Sequence, residues 1–178
     1  MVNAHDLLWG MTPAQLPADA PAWAVPGQVA VGVRGRLREQ RFATLMPIAQ
    51  VTRRVAPEAL GAVVSPRDLP ALRALDHLRP LLGHYAWGVT GSAGFELATG
   101  IEALHAHSDL DLILRSPERL ERDDARDLLA ALDTAVCVVD LQLQTPSGAL
   151  ALREWAGESR RVLLKTCGGA QLVTDPWQ

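Results

Sequence analysis

The chain is short of lysine, of cysteine and of long apolar runs. Lys165 is the single lysine among the seventeen basic residues of this 178-residue chain, so positive charge comes almost entirely as guanidinium forks, which suit phosphate. Two cysteines, Cys137 and Cys167, are too few for a disulfide framework, and Cys137 lies inside an apolar run; both are expected as reduced thiols. No Cys/His spacing resembles a zinc site, because the clustered His105 and His107 sit in an expected loop without further ligands. The longest apolar stretches, such as Ala135-Val136-Cys137-Val138-Val139, fall far short of the ~20 residues that a membrane span needs, so no membrane partner is expected. Met1-Val2-Asn3-Ala4-His5-Asp6 offers neither the basic nor the apolar region of a signal peptide, and a cytoplasmic protein is expected. Positive charge is not in excess either: seventeen basic against twenty acidic residues leave −3, which argues against a uniformly basic nucleic-acid binder.

What is present is an ordinary globular composition. Apolar residues make up 48% and charged residues 21%, enough to bury a core. At ~150 residues per domain the length allows one full domain or two small ones. Residues 1–80 hold nine basic against six acidic residues, and 81–178 hold eight against fourteen; this asymmetry predicts two lobes meeting near Pro80.

Along the chain, Pro13, Pro17, Pro21, Pro26 and Gly27 predict a loop over 12–27. Gln28 to Val33 alternates as a strand that delivers Arg34, Arg36 and Arg38, whereas Phe42 to Val55 is mixed and predicts no single element. Ser65-Pro66-Arg67-Asp68 predicts a helix start that Pro70 can push later; Leu72, Leu75, Leu78 and Leu82 follow near helical spacing, with Pro80 ending or kinking the helix. His84 to Val89 predicts a strand running into Thr90-Gly91-Ser92, then a short helix through Phe95 to Ala98 closed by Gly100. Ser108 to Leu114 alternates, so Asp109 and Asp111 share one face and Leu110 and Leu112 the other. Ser116-Pro117-Glu118 predicts the cap of a helix with Leu120, Ala125, Leu128, Leu129 and Leu132 in one stripe. Val136 to Leu143 is a further strand with Val138, Asp140 and Gln142 on one face. No internal repeat is visible.

Two aspartates on one strand face, a third on a later strand and a Gly-Ser turn before both are what metal-assisted nucleotidyl transfer requires. Asp109 and Asp111 are spaced by two, so roughly 7 Å of strand brings both carboxylates out together to share hard cations. Two Mg²⁺ ions ~3.5–4 Å apart would activate an attacking hydroxyl and neutralise a leaving pyrophosphate, with Asp140 completing the metal site and accepting the proton. Asp140 directly follows four apolar residues, where an unpaired buried carboxylate is costly and calls for a cation or basic partner. Gly91 and Ser92 at a helix start offer N–H groups and a hydroxyl to terminal phosphates. Ser92 as a plain helix cap, Glu96 as a solvent-facing or capping acid, and Trp87, Trp155 and Trp177 as packing residues are the simpler readings of those positions.

The order Gly91-Ser92, Asp109-Leu110-Asp111-Leu112, Asp140 resembles the polymerase-beta-like nucleotidyltransferase superfamily, with a longer gap between Ser92 and Asp109 than is usual there. Trp87-Gly88-Val89-Thr90-Gly91-Ser92-Ala93-Gly94-Phe95-Glu96-Leu97-Ala98-Thr99-Gly100 followed by Ser108-Asp109-Leu110-Asp111-Leu112 closely resembles the malonate decarboxylase holo-acyl-carrier-protein synthase family, also called phosphoribosyl-dephospho-CoA transferase, where the longer gap is normal. The likeness extends to His5-Asp6-Leu7-Leu8-Trp9, Val31-Gly32-Val33-Arg34-Gly35, Gln40-Arg41-Phe42-Ala43, Val162-Leu163-Leu164-Lys165-Thr166 and Asp175-Pro176-Trp177, and so covers most of the chain. Val89 stands where that family is expected to carry proline, and Lys165 where arginine is expected, which replaces a bidentate phosphate fork by a point charge.

The resemblance implies an α/β (α+β) protein in two lobes: 1–80 binding substrate and carrier protein, and 81–178 a nucleotidyltransferase-like catalytic domain, a mixed sheet flanked by helices. It implies a Mg²⁺-dependent transfer of a phosphoribosyl-dephospho-CoA group from its triphosphate precursor to a serine of the apo acyl carrier protein of malonate decarboxylase, releasing diphosphate. Asp109, Asp111 and Asp140 are then the catalytic metal ligands, and Gly91, Ser92, Arg34, Arg36, Arg41 and Lys165 bind substrate or, for the arginines, an acidic carrier surface. A citrate lyase-type synthase or another small nucleotidyltransferase is the alternative among enzymes. A non-catalytic binding module is the alternative of another class, against which the intact aspartates speak; a DNA polymerase would need a basic DNA-gripping face that is not visible.

Overall fold

The computed structural model describes residues 7–10, 27–34, 41–51, 53, 55–166 and 168–178. The chain divides into two compact units, 1–54 with 167–169, and 55–166 with 170–178. The division therefore falls at 54/55 and not near Pro80. Charge balance misplaces it because residues 55–80 carry Leu60, Leu72, Leu75 and Leu78, all of which bury into the core of the second unit.

The described part of the first unit is a three-stranded antiparallel sheet in the order β1-β2-β3: β1 (Leu7–Gly10), β2 (Gln28–Arg34) and β3 (Arg41–Pro47). β2 is the strand expected from Gln28, and the mixed stretch after Phe42 includes β3. Pairing runs from Gln28↔Pro47 to Arg34↔Arg41, and a 3-10 turn, Ile48–Gln50, follows with the Ile48 N–H donating to the Gly27 carbonyl at 2.8 Å. Residues 12–26 of the expected loop, and Arg36 and Arg38, lie outside the described residues; so do the side chains of Arg34 and Arg41.

The second unit is a six-stranded sheet in the order β4-β5-β6-β7-β8-β9: β4 (Trp87–Val89), β5 (Leu110–Arg115), β6 (Val139–Thr145), β7 (Gly148–Ala151), β8 (Val162–Thr166) and β9 (Gly169–Val173). β5 and β6 are parallel, whereas β4 with β5, β6 with β7 and β7 with β8 are antiparallel. The sheet is thus mixed, as expected. A parallel pair needs a crossover, supplied here by α4 (Arg122–Leu132).

Helices α2 (Pro70–Leu82), α3 (Gly91–Thr99), α4 and α5 (Leu152–Ala156) back one face, whereas α1 (Pro57–Leu60) begins against the other face of β4, where a Cβ on Gly88 would lie 2.1 Å from the Pro57 backbone and Glu58 pairs with Arg115 at 2.6 Å. Strict alternation decides which face. Leu110, Leu112 and Leu114 of β5, and Val139, Leu141 and Leu143 of β6, are all buried on the helix side, each fully buried leucine contributing about 1.5–3 kcal/mol. Asp140, Gln142 and Gln144 stand on the open side and are exposed. Trp155, 1% exposed, anchors the helix side, with its indole N–H on the Leu120 carbonyl at 2.8 Å. Trp177 meets it edge-on at 5.0 Å and Arg122 lies over it at 4.3 Å; these tryptophans pack.

Several element boundaries differ from the sequence expectation: β4 begins at Trp87 and not at His84, and β6 runs Val139–Thr145 where the sequence predicts Val136 to Leu143. α2 starts at Pro70, the later of the two starts that the sequence allows, because Ser65 spends its oxygen on the Arg67 N–H in a local turn, at 3.3 Å. It runs through Pro80 to Leu82: a proline in the last turn removes one hydrogen bond, while buried Leu78 and Leu82 keep the turn in place. α4 begins at Arg122, since Ser116 donates its hydroxyl to the Glu118 carbonyl at 2.9 Å and closes a turn instead of a cap. Among the described residues no helix is long and apolar enough to cross a membrane.

Candidate active site

The parallel register of β5 and β6 places Asp111 directly opposite Asp140. Asp109 stands just before β5, where the Leu110 N–H donates to the Val138 carbonyl at 3.0 Å and starts the β5–β6 pairing. One carboxylate oxygen from each of Asp109, Asp111 and Asp140 can be chosen so that all three lie within 4.8 Å of one another. Asp109 and Asp140 are exposed and Asp111 is half-buried. The burial argument for Asp140 therefore fails: alternation turns it to the open side of the sheet. What remains is like charge on directly opposed residues, which destabilises a strand pair and which a bound cation would relieve. The donor set is oxygen only, which fits a hard divalent cation and not a soft one.

The Gly-Ser turn is built against this cluster. β4 ends at Val89, the Thr90 N–H donates to the Asp111 carbonyl at 2.9 Å, and α3 starts at Gly91. Gly91 has φ +61°, and a Cβ on it would lie 1.8 Å from the Asp111 carboxylate oxygen Oδ2 and 2.7 Å from the Asp111 Cβ. Only glycine fits here, for conformation and for space. The helix cap is Thr90, not Ser92, which is in the first turn. Among the described residues the Ser92 hydroxyl has no hydrogen-bond partner in the structure, so it is available to a ligand. Gly100, as expected, closes α3 in the left-handed conformation at φ +74°.

Lys165 is not brought to the carboxylates. The register aligns Arg115, Gln144, Ala149 and Lys165 in one row, four residues along β6 from Asp140 and two strands further over. That is roughly 13 Å along the strand and about 10 Å across, or ~16 Å in all. His105 and His107 are exposed loop residues; the His105 N–H donates to Ser108 Oγ at 3.0 Å, and neither imidazole joins the carboxylate group. Cys137 is a free thiol, its pKa raised by burial and then by the negative charge of Asp109.

Glu96 is more than a solvent-facing acid. It is 6% exposed and accepts the N–H groups of Ala103 at 2.8 Å and Leu104 at 2.9 Å, and Nη1 of Arg67 at 2.7 Å. Burial opposes its ionisation, but those donors outweigh it and hold the carboxyl below its ordinary range. A single acid four residues after Ser92, in a helix otherwise of small and apolar residues, was the signal available in the sequence.

A mixed sheet backed by helices, with acids gathered where two parallel strands begin, is the architecture of a nucleotidyltransferase-like α/β domain. Comparison with known proteins makes this specific. Residues 59–176 match the family described as phosphoribosyl-dephospho-CoA transferase MdcG C-terminal domain. A protein of Pseudomonas fluorescens strain Pf-5 named phosphoribosyl-dephospho-CoA transferase is 59% identical over 192 residues, covering 97% of this chain and 92% of its own. One of the same name from P. fluorescens strain Pf0-1 is 57% identical, covering 99% and 97%, and one from Azotobacter vinelandii is 50% identical, covering 98% and 93%. No solved structure matches the chain. The chain belongs to the phosphoribosyl-dephospho-CoA transferase family and is a transferase.

Proposed function

We propose that this enzyme transfers the 2′-(5″-phosphoribosyl)-3′-dephospho-CoA group from 2′-(5″-triphosphoribosyl)-3′-dephospho-CoA to a serine of the apo acyl carrier protein of malonate decarboxylase, releasing diphosphate in the cytoplasm. The observation that carries the reading is the opposed pair Asp111↔Asp140 with Asp109 beside it and Gly91 pressed against Asp111. The serine oxygen bonds to the α-phosphorus while the bond from that phosphorus to the bridging oxygen breaks, and the electron pair leaves with diphosphate. Asp140 takes the hydroxyl proton.

Asp109, Asp111 and Asp140 would hold magnesium, as two ions. When bound, these ions neutralise charge growing on the diphosphate and acidify the attacking hydroxyl. The N–H groups at the start of α3 and the Ser92 hydroxyl receive the terminal phosphates. A substrate with a dephospho-CoA arm is long enough to reach from the carboxylates to Lys165, which then meets an outlying phosphate as a point charge. The first unit, through Arg34, Arg36 and Arg41, binds phosphate or the acceptor protein.

The test is transfer of labelled triphosphate precursor to apo carrier protein, with Mg²⁺ or with chelator, read by intact mass. The expected result is a metal-dependent adduct on one carrier serine, absent with Asp109→Ala. Modification of a citrate lyase carrier but not of the malonate decarboxylase carrier would refute the acceptor; an adduct undiminished by chelator would refute the metal role.

A further inference from the structure

The connection from α3 to β5 spans residues 100–109 without helix or strand, yet it carries Asp109. Asp111 and Asp140 are held by strand register. Asp109 precedes the ladder, so its place depends on the loop behind it.

That loop is pinned from below. The Glu96 carboxylate takes the N–H groups of Ala103 and Leu104 at 2.8 and 2.9 Å, donors that no helix or strand satisfies. Arg67 Nη1 lies 2.7 Å from both Glu96 oxygens, and Nη2 donates to the Leu104 carbonyl at 3.4 Å. Leu104, 5% exposed, is buried in the core alongside. At the far end Ser108, 8% exposed, closes the loop on itself: Oγ accepts the His105 N–H at 3.0 Å and the Ser108 N–H donates to the His105 carbonyl at 3.1 Å. Glu96 also lies one helical turn after Ser92 on α3, so one carboxylate ties the Gly-Ser helix to the loop that delivers Asp109.

We propose that Glu96, with Arg67 behind it, is a positioning residue of the carboxylate site: its bonds to the loop set where Asp109 stands and thereby the affinity of the cluster for a divalent cation. The inference rests on the metal-binding reading of that cluster. Neither residue touches the cation or the reacting atoms; both act through Asp109. Groups that orient metal ligands typically change metal affinity by about 10–100-fold when lost.

The experiment is calorimetric titration of the full chain with Mn²⁺, without substrate, at a temperature where circular dichroism shows each variant folded. Glu96→Gln is expected to weaken Mn²⁺ binding at least tenfold, and Arg67→Met, which leaves the two backbone bonds to Glu96, several-fold. Leu128→Ala, a cavity in α4, is expected to lower the melting temperature without changing Mn²⁺ affinity. Wild-type affinity in both Glu96→Gln and Arg67→Met overturns the inference, and so does an equal loss in Leu128→Ala, because general loosening then explains it. No Mn²⁺ binding by the unsubstituted chain overturns the metal reading itself, and this inference with it.

Discussion

Gly91→Ala isolates the contact on which the site geometry turns. The substitution forces a side chain into φ +61° and sets its Cβ 1.8 Å from Asp111 Oδ2 and 2.7 Å from Asp111 Cβ. The carboxylate can rotate away, but the Asp111 Cβ belongs to β5 and moves only with the strand. Gly100→Ala is the matched control: it has φ +74° and nothing within 4 Å of the added atom. Left-handed strain alone costs about 1–2 kcal/mol, so Gly100→Ala is expected to lower the melting temperature by several degrees, each kcal/mol being worth roughly 2–8 °C depending on domain size. Because Glu96 pins the loop at Ala103 and Leu104, between Gly100 and Asp109, the variant's transfer rate at a temperature where it is folded is expected to match wild type. Gly91→Ala carries the same strain plus displacement of Asp111, and a misplacement near 1 Å can cost about 100-fold in rate. The assay is initial-rate transfer at several Mg²⁺ concentrations, alongside thermal unfolding of both variants. Equal rates in the two variants would refute the reasoning, because the Asp111 contact would then add nothing to backbone strain.

Two further outcomes follow from the same geometry. Asp140→Asn removes one of two directly opposed like charges, so in chelator the variant is expected to be more stable than wild type by about 0.2–1 kcal/mol, while losing metal-dependent transfer; denaturant unfolding with EDTA that shows it less stable would contradict the repulsion. The second concerns acid. In Glu58 the Arg115 hydrogen bond, and in Glu96 the backbone donors and Arg67 acting against burial, hold the carboxyls below their ordinary range. A depressed folded-state pKa stabilises fully above the unfolded-chain value of about 4.3 and is lost as pH falls through the folded value. Unfolding free energy is thus expected to drop from pH 5 downward, with a shallower slope in Glu96→Gln, measured by urea denaturation across that range.

The clearest legibility lies where one residue's neighbours in sequence are also its neighbours in space. Alternation in Ser108 to Leu114 and Val136 to Leu143 predicts two strands with Asp109 and Asp111 sharing one face of the first and Asp140 and Gln142 one face of the second, because side chains in a strand can only alternate. Gly100 announced the end of α3 because a left-handed residue closes a helix at little cost only as glycine. The residues of the Gly-Ser turn and the three aspartates carried the family likeness for the same reason: the chemistry needs those groups whatever surrounds them.

What tertiary structure alone decided is every relation across a long stretch of chain. Whether Asp111 would face Asp140 depended on a parallel register set after a crossover through α4, and a one-residue slip would have turned the partner away. That Asp140 is exposed and not buried, that Lys165 lies two strands and four residues away, and that helices α1 and α2 pack with the second unit were settled by which surfaces met. Glu96 shows the difference most sharply. Its identity was written in the sequence, but its partners Arg67, Ala103 and Leu104 come together only when α3, the segment before α2 and the loop to β5 share one core. Local propensity acts over a few residues, whereas burial and pairing act between segments, and a site assembled from three segments is placed by the second.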